Sequence, residues 1–369
     1  MPGFPAADSQ MALDRTALFD SHVAARAKLV DFGGWEMPLH YGSQLEEHHA
    51  VRRSAGMFDV SHMTIIDLAG ADAPPLLRYL VANDVAKLTA PGRALYGCLL
   101  NDTGGVVDDL IVYRRANGYR AVVNASTRAK VLRWFTDRAR NFPNATLTPR
   151  PDLVMLAVQG PDAIDRFIKV TNITATKDLE PFTDLEHGSW MVARTGYTGE
   201  DGIEVMLPSA EGIQLWNDLV AAHVTPCGLA ARDTLRLEAG LNLYGQDMTD
   251  QTSPLESNLA WTVTWDPADR NFIGRTALES IRANVPTTKL TGLVMETKGV
   301  LRHGYRVITN AGEGEITSGI FSPTLGYSIA LARLPRAAKG ACEVDIRGKQ
   351  IPCRIVRPPF VRHGKKVYE

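Results

Sequence analysis

The chain has 369 residues, enough for two or three domains, with 45% apolar and 22% charged side chains. Forty basic residues against forty-one acidic ones leave a net charge of −1, which gives no basis for nucleic-acid or membrane-surface binding. No apolar run approaches the roughly 18–20 residues of a membrane span, and Met1–Asp8 has neither the charge nor the apolar core of a signal or transit peptide.

Residues 1–15 are expected to form a disordered extension, with Met11 an alternative start. The four cysteines (Cys98, Cys227, Cys342, Cys353) contain no Cys-x-x-Cys pair, which points to structural thiols in a reducing cytoplasm. Residues 43–56 read as a helix, with Ser43 and Glu46 as a capping box and Gly56 as its stop. A strand over Thr64–Leu68 leads through Gly70, Asp72 and Ala73 into a helix ending near Val81. The same grammar returns at Val154–Val158, then Gly160, Asp162 and Ala163, then a helix ending near Val170. With Asp at the N-cap both times, this reads as an internal repeat and implies two related α/β units. Further helices are expected over 126–140, 210–223 and 229–239. Mixed hairpins and strand–helix units argue for an α+β fold. There is no Gly-x-Gly-x-x-Gly or phosphate loop, so no nucleotide cofactor is expected.

From about residue 286 the texture changes. Short β-rich runs (290–295, 304–308, 316–318, 327–334, 342–346, 351–356) alternate with Gly, Pro and Asn turns. That spacing predicts a small all-β barrel or sandwich. Cys342 and Cys353 flank its last hairpin and read as a buried free pair.

Chemistry concentrates at two acids inside an apolar strand. Val106–Tyr113 carries Asp108 and Asp109 among Val, Leu and Ile, after a hairpin signal at Asn101–Gly105. Asp is depleted in strands, and a carboxylate there must find donors. Side chains alternate, so Asp109 shares a face with Ile111 and Tyr113, and Asp108 points the other way. Either they are strand-end residues bonding to backbone, or one of them works. Arg194–Glu204 packs three glycines and three acids around Tyr197, with Glu204 inside a strand. A strand carboxylate suits a ligand with paired N–H donors, or is simply exposed at an edge. Arg232 lies near a helix N-terminus, where the dipole disfavours a cation. It needs an acid or an anionic ligand, unless Asp233 neutralises it. His48, His49 and His62 lack metal-ligand spacing, and no metal is expected.

Five ordered motifs coincide: Phe58–Met63, Gly104–Tyr113, Gly196–Glu204, Ala231–Gly240 and Thr317–Gly326. From about Thr16 to Val361 the chain resembles the glycine cleavage T-protein family, aminomethyltransferases that use tetrahydrofolate as co-substrate. The resemblance implies a three-domain cloverleaf. Two interleaved α/β folate-binding domains fill residues 16–280, and an all-β, barrel-like domain fills 286–369. It implies transfer of a methylene from the aminomethyl group on dihydrolipoyl H protein to tetrahydrofolate, with release of ammonia. It makes Asp109 the catalytic acid. It places Met63, Tyr96, Tyr113, Asn124, Tyr197, Glu204 and Arg232 around the folate, with Glu204 accepting from the pterin N–H edge. Some members carry a Tyr where this chain has Lys365, so a C-terminal cation could meet a folate tail. Alternatives are an iron–sulphur repair protein of the same fold, whose Lys-Gly-Cys-Tyr motif is absent here, and a folate-dependent demethylase with another donor.

Overall fold

A computed structural model describes residues 12–369. Of the expected extension, residues 1–11 and the alternative start at Met11 lie outside the described residues. Asp14 bridges to Trp35, and the Arg15 Nε donates to Glu36 at 2.9 Å. No helix among the described residues is long and apolar enough to cross a membrane.

Two antiparallel-rich sheets and a barrel form the molecule. The five-stranded sheet takes strands Thr64–Ala69, Arg93–Leu100, Val106–Arg115, Gly118–Val123 and Thr146–Pro149. The six-stranded sheet uses Gly56–Asp59 from before that block and five strands from after it, Leu153–Gln159 through Thr225–Pro226. Gly56–Asp59 pairs with Leu153–Gln159, so one unit is threaded through the other. The facing sides share a core that includes Phe58, Ile65, Tyr113, Met155 and Met206. Six strands from Thr288–Met295 to Lys349–Val356 close the C-terminal barrel. Its Arg347–Gly348 turn has both residues at positive φ, the conformation a two-residue hairpin requires. Cys342 and Cys353 face each other across its last strand pair, both buried and free.

The internal repeat is more than a string match. Gly70 and Gly160 both sit at positive φ, and a Cβ on either would lie within 2.4 Å of a carbonyl oxygen, of Asn144 and Ser54 respectively. The Asp that follows reaches back to that same residue. Asp72 accepts from the Asn144 N–H at 2.8 Å, and Asp162 from the Ser54 hydroxyl at 2.9 Å. Both acids occupy the N-cap position, but neither side chain caps its helix. They pin a neighbouring segment instead.

Two local expectations change. The first long helix runs Gln44–Arg53 and its cap is half a box: Ser43 accepts from the Glu46 N–H, while no bond returns from the Glu46 side chain. Gly56 is not its stop; it opens a strand. A Cβ there would meet Val51 at 2.5 Å and Cys227 at 2.7 Å, so glycine lets helix and strand pack closely.

Helix Leu229–Glu238 is the axle of the fold. Its first turn carries Arg232 toward the sheets. Its last turn grips the barrel, where Arg236 donates to Asp247 at 2.8 Å and to Ser318 at 2.9 Å. Fully buried Glu238 accepts from Arg52 (2.7 Å) and from the Thr324 hydroxyl (2.8 Å). Arg52 also donates to Glu200 at 2.8 Å. One buried network thus ties the helix Gln44–Arg53, the axle, the barrel and the Thr195–Gly202 loop.

Candidate active site

A cavity of 790 Å³ opens where the two sheets, the axle and the C-terminal segment meet. Asp109, Tyr96, Tyr113 and Asn124 line it from the five-stranded sheet. Glu204, Tyr197, Met63 and Arg232 line it from the other side. All eight residues singled out in the sequence therefore border one space.

The acid pair sits at an irregularity. Strand Val106–Arg115 pairs with Arg93–Leu100 in steady register until Leu99 meets Asp108, and then Leu100 meets Val106. Val107 is the extra residue of a β-bulge, a device that re-aims neighbouring side chains. Gly105 lies just before it, where a Cβ would fall 1.8 Å from the Asp250 carbonyl. Alternation leaves Asp108 buried and turns Asp109 to the cavity, yet both acids meet the same partner. The Asn124 amide donates to Asp108 at 2.8 Å and to Asp109 at 2.7 Å. The other Asp109 oxygen accepts from the Tyr96 hydroxyl at 2.9 Å. Burial raises the Asp109 pKa; its bonds to Tyr96 and Asn124, and then Arg232, oppose that rise.

Glu204 lies in strand Gly202–Pro208, between Ala157 and Ala193 on its neighbours. Two small flanking residues leave its carboxylate room to reach the cavity. It accepts from Thr195 Oγ1 at 2.5 Å, and Thr195 lies 3.2 Å from the Tyr113 hydroxyl. It is buried, which raises its pKa; Thr195 and Arg232 pull the other way. The second carboxylate oxygen has no hydrogen bond among the described residues.

Arg232 stacks over the Tyr197 ring at 4.5 Å, and the Tyr197 hydroxyl donates to the Asn242 carbonyl. Asp233 does not neutralise it; that acid bonds to Arg236 at 2.8 Å. Among the described residues the Arg232 guanidinium makes no hydrogen bond or ion pair. Its charge falls on Asp109, Glu204 and His62. His62 is buried edge-on against Phe32 and held down to about 4 by burial and by Arg232. His48 bridges Thr234 and Thr324 in the axle network, which is a structural use.

Several lining residues had no signal in the sequence. Trp261, 64% exposed, stacks on Tyr96 with ring centroids 5.8 Å apart at the cavity rim. Thr195 and Tyr244 also line the cavity, the latter bonded to Lys130 at 2.6 Å. Arg357 and Arg362 border the opening, while Lys365 does not line it.

The fold and site define a class: a three-lobed α+β protein with an acid- and tyrosine-lined cavity at the junction of its lobes. The family model described as GCVT N-terminal domain matches residues 18–267, and Glycine cleavage T-protein C-terminal barrel domain matches 289–362. The chain is 57% identical over 355 residues to the aminomethyltransferase of Pseudomonas syringae pv. tomato, covering 95% of this chain and 98% of that one. It is 56% identical over 358 residues to that of Chromobacterium violaceum, covering 96% and 99%. It superposes on the crystal structure of glycine cleavage system aminomethyltransferase T from Bartonella henselae with a TM-score of 0.89 at 34% identity, covering 95% and 99%. The chain belongs to the glycine cleavage T-protein family, the aminomethyltransferases.

Proposed function

We propose that this chain transfers a methylene from an aminomethyl group, carried on the dihydrolipoyl arm of H protein, to tetrahydrofolate. The products are methylenetetrahydrofolate, ammonia and the dihydrolipoyl protein. One observation carries the reading: two carboxylates on separate strands, half-buried Asp109 and buried Glu204, face one cavity with an unpaired guanidinium between their fields. A folate presents an N–H-rich ring edge at one place and reacting amines at another, and needs an acceptor for each. Glu204 suits the ring edge, because its free oxygen and its Thr195-bound oxygen lie in one plane. Asp109, with only neutral donors, suits orientation of the reacting amines and stabilisation of developing positive charge. Tyr96, Tyr113, Tyr197 and Met63 supply apolar walls that exclude water. Asn124 holds Asp109 in place.

The donor is read as a carrier-borne group because the site has no second motif for a free cofactor. Arg357 and Arg362 at the opening supply local positive charge for an acidic carrier or a folate tail. A cytoplasmic location belongs to the same reading, supported by four free buried cysteines.

Calorimetric titration with tetrahydrofolate tests the ligand assignment. The wild type binds one equivalent, and Glu204→Gln loses about 1–3 kcal/mol of binding with little change in melting temperature. Equal affinities for the two proteins would remove Glu204 from the folate site.

A further inference from the structure

Asp108 lies outside the cavity, yet two of its three bonds come from Asn124, which also holds Asp109. One oxygen accepts from Asn124 Nδ2 at 2.8 Å. The other accepts from the Asn124 backbone N–H at 3.3 Å and the Thr127 hydroxyl at 2.6 Å. Asn124 Nδ2 has two hydrogens, and each goes to a different acid. The amide cannot turn without breaking both bonds. No Lys, Arg or His among the described residues lies within ion-pair distance of Asp108.

Stability does not account for this acid. A fully buried carboxylate held only by neutral donors is unfavourable. Burial, and then Asp109, push its pKa up to about 7. A group raised in this way binds its proton more tightly folded than unfolded. Stability therefore falls as pH rises from the ordinary Asp range toward 7. Asparagine would fill the same space uncharged, but its NH₂ would face one of these donors.

We propose that Asp108 is a positioning residue for the transfer: through Asn124 it fixes the orientation of the Asp109 carboxylate. This rests on Asp109 being the working acid of the proposed reaction.

The test is the split between kcat and KM with aminomethylated, lipoylated H protein and tetrahydrofolate at pH 7. Asp108→Asn breaks a bond that fixes Asn124 and lowers kcat by about fivefold, while KM for tetrahydrofolate stays within about twofold. Thr127→Val removes a hydroxyl donor that holds the Asp108 carboxylate and lowers kcat in the same way, by less. Thr127→Ser keeps the donor and the wild-type kcat. A wild-type kcat in both Asp108→Asn and Thr127→Val overturns the inference. If Asp108→Asn does not fold, the Thr127 pair decides alone. A wild type that transfers nothing from the lipoylated donor overturns the functional reading, and this inference with it.

Discussion

Asp109→Asn leaves the fold intact and lowers transfer by at least about tenfold. The substitution is isosteric, and its neighbours can adapt. The new carbonyl oxygen keeps the Asn124 amide, and the new NH₂ group donates to the Tyr96 hydroxyl, which can turn to accept. What disappears is the one carboxylate of the acid pair that reaches the cavity, at the place where positive charge develops. Steady-state transfer and a melting curve on the same preparation check both halves. The Asp108 variant should lose less, since that acid acts through Asn124. Near-wild-type turnover in the Asp109 variant beside a crippled Asp108 variant would show that Asp108 is the working acid.

Glu238→Gln destabilises the protein by about 3 kcal/mol, because it leaves buried Arg52 short of a charged partner. Burial alone would raise the Glu238 pKa. Bonds from His48, the Arg52 charge and the Ser322 hydroxyl outweigh burial and hold it down to about 2. The sign follows: a depressed carboxylate contributes its full stability above the ordinary Glu range and loses it as pH falls toward 2. Urea unfolding should show the whole gap between variant and wild type at pH 7 and a smaller one at pH 3. An equal gap at both values would mean that the ionised form is not what stabilises the network.

The acid pair was legible because Asp is rare inside an apolar strand and has few reasons to be there. The barrel was legible because turn residues punctuate residues 286–369 at short, regular intervals. The repeat was legible in its glycines, but the role of its acids was not: Asp72 and Asp162 look like caps, and only the fold reveals Asn144 and Ser54 beside them. Interleaving could not be read from local pattern, because Gly56 pairs with Gln159 about a hundred residues away. The Val107 bulge is a register event between two strands and leaves no mark on either one alone. Asn124 could be placed at a strand end; that its single amide holds both acids depends on that bulge. Trp261 sits in a single 3-10 turn, Ala260–Thr262, too short to show a periodicity, so its stacking on Tyr96 emerges only in three dimensions. Glu238 reads as one more helix acid until Arg52, from the helix Gln44–Arg53, and Ser322 and Thr324, from one barrel turn, converge on it.

The most direct test of the account is a turnover assay with purified, aminomethylated, lipoylated H protein, run with and without tetrahydrofolate. The account predicts methylenetetrahydrofolate and ammonia in equal amounts, with formation of the former strictly dependent on added folate. Undetectable transfer from the lipoylated carrier, alongside turnover of a free methylamine donor, would contradict it and put a folate-dependent demethylase in its place.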